Sequence, residues 1–147
     1  MEDAISMAIK GHWKKNGLEY DEKLIIRLKP GKRIYTIENG YNCTCELLKS
    51  GVDFSCIYAI SDTLAVGACR AIIDSGKRVP EDYCVAGADG QDIAEYYHPS
   101  ITTLKYPRVE TALQSVRTLF DLIDRKKVVK RQILSGTLIE RESTRKL

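Results

Sequence analysis

The sequence predicts an α/β fold, a parallel β-sheet with helices on both faces. Three observations carry this expectation. First, β-like and helical segments alternate along the chain, the pattern of consecutive βαβ units. Second, Cys56-Ile57-Tyr58-Ala59-Ile60 is a continuous apolar run, as expected of a strand covered on both faces. Third, Thr63 to Ser75 reads as a helix that is apolar nearly all round, carrying Leu64, Ala65, Val66, Ala68, Cys69, Ala71, Ile72 and Ile73. Such a helix buries both sides: one on the sheet, the other on a second layer or a partner subunit.

The remaining elements follow in order. Ala4 to Lys15 has Ile5, Ala8, Ile9 and Trp13 at helical spacing and stops at Asn16-Gly17. Leu24 to Leu28 reads as a short strand ended by Pro30-Gly31, and Ile34 to Ile37 as a second β-like segment. Asn39-Gly40 precedes a helix through about Leu48. Ser61 and Asp62 stand where either side chain can cap the helix that follows, and Gly76 ends that helix. Cys84 to Gly87 is a strand, Gln91 to Tyr97 a short turn or helix, and Ile101 to Lys105 strand-like. Val109 to Asp124 is the clearest amphipathic helix, with Val109, Ala112, Leu113, Val116, Leu119, Phe120 and Ile123 recurring at three and four. Two short strands, Gln132 to Leu134 and Thr137 to Glu140, close the chain.

Composition narrows the function classes. The chain has 147 residues, 44% hydrophobic and 29% charged, which suits one globular domain. No apolar run approaches the roughly 20 residues of a membrane span. Met1-Glu2-Asp3-Ala4 lacks the basic and apolar regions of a signal peptide, so a cytoplasmic location and no membrane partner are expected, whether Met1 is a start or a cut. A net charge of +3 is small for a nucleic-acid-binding domain. The densest basic cluster, Arg125-Lys126-Lys127 with Lys130-Arg131, sits where cations favour a helix C-terminus, with a nucleic-acid contact as the alternative. Of five cysteines, Cys43 and Cys45 lie two apart, too close in sequence to share a helix face, and no second pair follows at zinc spacing. Cys56, Cys69 and Cys84 read as small core residues. No metal and no cofactor is expected. His12 and His98 have no acid or nucleophile pattern around them, and no glycine-rich phosphate loop occurs.

Asp62 and Asp89 both follow the ends of apolar strands, where ligands bind in open parallel sheets. A carboxylate there can accept hydrogen bonds from two hydroxyls of a small polar ligand. The alternatives are an N-cap for Asp62 and a turn residue ahead of Gly90 for Asp89.

Five segments in order carry a family resemblance. They are Ala59 to Ala68; Gly76-Lys77-Arg78-Val79-Pro80-Glu81-Asp82; Val85-Ala86-Gly87-Ala88-Asp89-Gly90; Pro99-Ser100-Ile101-Thr102-Thr103-Leu104; and Leu138-Ile139-Glu140-Arg141-Glu142-Ser143-Thr144. Together they resemble the effector-binding core of the LacI/GalR family of bacterial transcriptional regulators, from about Cys56 to Thr144. Gly11, Gly40-Tyr41 and Leu47-Leu48 extend the likeness more loosely toward the N-terminus.

The resemblance implies a two-lobed periplasmic-binding-protein-like (type I) fold, mostly its second lobe. Residues 1–100 would form the second lobe, 101–130 would cross to the first, and 131–147 would return. It also implies that Asp62, Asp89 and Ser61 contact a sugar-like effector. Ser61 stands where the family often has Asn and offers fewer hydrogen-bonding sites. Tyr35 falls near the family's sugar-stacking aromatic, with strand core packing as its alternative. Ala8 replaces an Arg that anchors the effector in the family. Val66 and Tyr97 fall where second lobes pair into dimers, with core packing as the alternative. The implied partners are a small effector and further copies of the chain, with DNA reached only through a helix-turn-helix headpiece not seen in this sequence. The implied function is effector sensing and dimerisation in a regulator, probed against two other readings. A periplasmic sugar-binding protein of the same fold would need a signal peptide. An enzyme using Asp62 and Asp89 would need a His, Lys or glycine-rich loop nearby.

Overall fold

The computed structural model describes residues 14–15, 17, 21–28 and 33–145. The expected helix Ala4–Lys15 lies outside these residues except for Lys14 and Lys15, which are helical. Ala8, Gly11 and His12 lie outside them as well.

Leu24–Leu28 does not form a strand. A single 3-10 turn at Glu22–Leu24, capped by the Asp21 side chain, is followed by extended chain. Nor is Ile34–Ile37 a strand. Thr36 Oγ1 accepts the Asn39 N–H at 3.1 Å, and Asn39 Nδ2 donates to the Ile34 carbonyl at 2.9 Å. This cap starts helix α1 at Ile37, two residues before Asn39, and it runs to Lys49 (Ile37–Lys49). Local capping overrides β propensity here, because four orphan N–H groups at a helix start must find acceptors.

Strand β1 (Cys56–Tyr58) leads into helix α2 (Asp62–Asp74). Ser61 is its N-cap, its hydroxyl accepting from Leu64 N. Nine residues of α2 are buried. One side lies on the sheet and the other on α1, so the second layer is supplied within the chain. The two helices meet closely: a Cβ on Gly67 would stand 2.1 Å from the Ile37 carbonyl oxygen, and one on Gly40 would stand 2.2 Å from that of Leu64. Beyond α2 come strand β2 (Cys84–Asp89), the short helix α3 (Asp92–Tyr96), strand β3 (Thr102–Lys105), helix α4 (Arg108–Ile123) and strand β4 (Thr137–Ile139).

The sheet order is β1-β2-β3-β4. The β1–β2 and β2–β3 pairs are parallel, with Ile57 beside Val85 and Gly87 beside Thr103, and β4 is antiparallel to β3. Among the described residues β1 is an edge strand, with Cys56 and Tyr58 exposed, so the apolar run is not covered on both faces and Cys56 is not a core residue. Cys69 is fully buried and Cys84 half-buried. Gln132–Leu134 carries no regular structure.

The C-terminal Arg-x-Ser-Thr motif fastens the chain end beneath the sheet. Buried Ser143 donates to the Val85 carbonyl at 2.6 Å and accepts from Thr102 N at 2.8 Å. Arg141 donates to the Ile101 carbonyl, and Thr144 pairs with Thr102. Each bond satisfies a backbone or hydroxyl group that burial would otherwise leave costly.

Ile101, Thr102 and Thr103 are buried, and β3 bonds to β2 in the same sheet as residues 56–89. Strand β3 ends at Lys105. Helix α4 buries no residue, and Val109, Leu113, Val116, Phe120 and Ile123 are all exposed. It does not fold back onto the sheet among the described residues.

Candidate functional site

At the C-terminal ends of β1, β2 and β3 the structure forms a cleft of about 450 Å³. Tyr35, Ile60, Ser61, Thr63, Asp89, Gln91 and Tyr106 line it. This is the end of an open parallel sheet at which ligands collect, because loops and helix N-termini converge there with free polar groups.

Asp89 closes β2 with its backbone at φ 101°. Its carboxylate accepts from Gln91 Nε2 at 3.0 Å, and its carbonyl accepts from the Arg108 guanidinium. It keeps acceptor capacity facing the cleft. Tyr35 sits in the loop before α1, half exposed, with its carbonyl accepting from Thr63 Oγ1 at 3.2 Å. It belongs to the cleft wall and not to a strand core. Ser61 also lines the cleft, although its hydroxyl is engaged by Leu64 N and lies 2.9 Å from Thr63 Oγ1.

Asp62 is placed differently from the expectation. It is fully buried and does not line the cleft. Ser61, not Asp62, is the N-cap, and the Asp62 carboxylate turns inward, accepting from Gln91 N and Thr103 Oγ1, each at 2.6 Å. Val66 is 4% exposed within the core cluster, so it has almost no surface for a partner. Tyr97 packs against that cluster and stays half-buried; burial raises its phenol above the ordinary value.

Gln91, Thr63, Tyr106 and Arg108 were missed from sequence. Tyr106 and Gln91 lie just past the ends of β3 and β2, and the strand-end rule that marked Asp89 would have reached both. Tyr58 is a further neighbour: the partial burial of its half-exposed ring, then the adjacent Tyr106 hydroxyl, raises its phenol. The wall thus combines aromatic faces with a carboxylate, an amide and hydroxyls, the sparse polar set that orients a polyol against apolar rings. Among the described residues, no group of three His, Cys, Asp or Glu side chains converges to hold a metal. None of the described helices is long and apolar enough to cross a membrane. In the basic cluster, Lys126 is tied to Asp121 and Asp124 at the end of its own helix. His98 is exposed, 3.5 Å from Glu142.

Residues 29–144 match the family described as the periplasmic binding protein-like domain. The HTH-type transcriptional regulator MalR of Clostridium butyricum is 41% identical over 128 residues, 87% of this chain and 37% of that protein. CelR of Thermobifida fusca is 34% identical over 73% of this chain and 30% of its own length. Among solved structures, a sugar-binding LacI-family regulator from Escherichia coli in complex with phosphate superposes with a TM-score of 0.81 at 30% identity, covering 97% of this chain and 51% of that one. A CelR–cellobiose complex gives 0.79 at 30% identity over 91% and 40%. The chain spans roughly a third of the curated relatives' length and about half of the first of these solved chains.

Proposed function

Because this chain belongs to the LacI family of transcriptional regulators through its periplasmic binding protein-like domain, we propose that it is the effector-sensing part of such a regulator and takes a sugar-like molecule in the cleft around Asp89. The observation that carries this is the presentation of Asp89 at the carboxyl end of β2, flanked by Gln91 and facing Tyr35 and Tyr106. Relatives of the same fold have been solved with cellobiose and with lactose, which supports a sugar as the ligand class. Matches to regulators favour this reading over a periplasmic sugar-binding protein. It is a binding reading and not a catalytic one.

In this reading the effector favours one arrangement of the protein over another, and that preference is the signal. DNA is met by a helix-turn-helix headpiece and not by the described residues, and copies of the chain associate. The exposed apolar face of α4 supports association, and Tyr97 stays a candidate contact.

Calorimetric titration with cellobiose, lactose, ribose and a wider panel of neutral sugars tests the reading. Binding of at least one, weakened about tenfold or more by Asp89→Asn through loss of charge-assisted hydrogen bonds, is the expected result. No binding across the panel at millimolar concentration would overturn it.

A further inference from the structure

We propose that Asp62 is the positioning residue of the effector site: without touching the effector, its buried carboxylate fastens the Asp89–Gln91 loop so that Asp89 faces the cleft. The proposal rests on the reading of that cleft as an effector site.

A buried carboxylate is costly unless hydrogen bonds replace its water. Asp62 is fully buried, and the bonds it makes are aimed at one target. Oδ2 accepts the Gln91 backbone N–H at 2.6 Å. Oδ1 accepts the Thr103 hydroxyl at 2.6 Å, and that same hydroxyl oxygen accepts the Gly90 N–H at 3.3 Å. Two successive amides of the loop are therefore held on one carboxylate, one directly and one through Thr103. The first turn of α2 adds its positive end to this negative charge.

The strand beneath is shaped for it. A Cβ at Gly87 would stand 2.4 Å from Asp62 Oδ1, so a side chain there would displace the carboxylate. The residue being steered also needs steering. Asp89 carries a side chain at φ 101°, outside the regions that side-chain-bearing residues favour. Such a backbone persists only where its surroundings over-determine it. The Asp62 carboxylate and the Arg108 bond to the Asp89 carbonyl grip the loop from two sides. Charge-assisted bonds are the stronger kind, which explains a buried Asp where a neutral residue would be easier to bury.

Asp62→Asn on the whole chain tests this, because Asn keeps the size and can satisfy only part of the network. Backbone amide hydrogen exchange, followed by NMR without sugar, should quicken about tenfold or more at Gly90 and Gln91. The Ile72 and Val85 amides should keep their rates. Affinity for whichever of cellobiose, lactose or ribose the unmodified chain binds should fall about tenfold. Asp89→Asn added to Asp62→Asn should cost less than it does alone, because both act through one carboxylate. Thr103→Val, which removes only the hydroxyl, should loosen Gly90 in the same way and serves if Asp62→Asn does not fold. Unchanged exchange at Gly90 and Gln91 in both variants overturns the proposal, as does a uniform quickening across the chain with affinity intact. Local quickening in a chain that binds none of the sugars upholds the fastening and removes the effector reading alone.

Discussion

Helices α2 and α4 both carry runs of Leu, Val, Ala and Ile, yet α2 buries nine of its 13 residues and α4 none of its 16. The difference lies in what each offers a neighbour. α2 presents small residues, Gly67 and Ala68 among them, so that α1 can approach until backbone meets backbone across Gly67 and Gly40. Its opposite side carries Ala65, Cys69 and Ile72 into the core cluster. α4 instead carries a clean stripe of large side chains, and nothing among the described residues packs on it. Periodicity states which face of a helix is apolar, but the covering partner is a property of the assembled layers.

That contrast breaks if core truncations in the two helices cost the same. Ile72 is fully buried, and Ile72→Ala should lower unfolding free energy by about 2–5 kcal/mol in denaturant melts. Leu113→Ala on α4, at a half-exposed position, should stay within about 0.5 kcal/mol. Comparable losses would mean that α4 is packed within the chain. Gly67→Ala sharpens the point from the other side. Its new methyl meets the Ile37 carbonyl, and backbone cannot turn aside, so a loss of about 1–3 kcal/mol is expected by thermal melt. A neutral result would show that the helices can part without cost.

The same contrast marks what was legible in the sequence. The α2 core, β2, β3 and the amphipathic face of α4 follow from periodicity and strand-end logic. Asp89 was singled out because a polar residue after an apolar strand sits where parallel sheets bind ligands, and the structure places it on the cleft wall. Asp62 looked equivalent by that rule and is not. Whether a strand-end carboxylate faces out or in depends on Thr103 and Gly87, which are 41 and 25 residues away. Val66, which the resemblance placed at an interface, is 4% exposed within the core cluster. Ile34–Ile37 was misread because β-branched composition outweighed the Thr36–Asn39 cap signal.

A smaller effect lies in the loop between α2 and β2. The Arg78 side chain, then its backbone N–H, holds the Asp82 carboxyl down to about 2 against an ordinary 3.8. A carboxyl depressed on folding contributes stability above its unfolded value and loses that contribution as pH falls through the folded one. Asp82→Asn should therefore melt below the unmodified chain above about pH 4, and the gap should close toward about pH 2. A constant gap across that window would show that the Arg78 contact does not act through charge. The pair is solvent-facing, so its effect should be much smaller than that of Ile72→Ala.

The smallest effect on stability, and the sharpest test of the contrast, is Phe120→Asp. Phe120 is 61% exposed in the stripe that runs through Val109, Leu113, Val116 and Ile123. In a lone chain its replacement removes little buried surface, so melts at concentrations where both chains are monomeric should overlay within about 0.5 kcal/mol. A continuous apolar face of this kind is uncommon on a monomer, because water-facing hydrocarbon favours association. A carboxylate in that face would have to lose its water when a second copy docks. The unmodified chain should therefore scatter light as an oligomer, and Phe120→Asp should fall toward the mass of a single chain. If both scatter as monomers, the face of α4 is open and stays open. If Phe120→Asp instead destabilises the fold, α4 packs within its own chain, and its difference from α2 is one of degree.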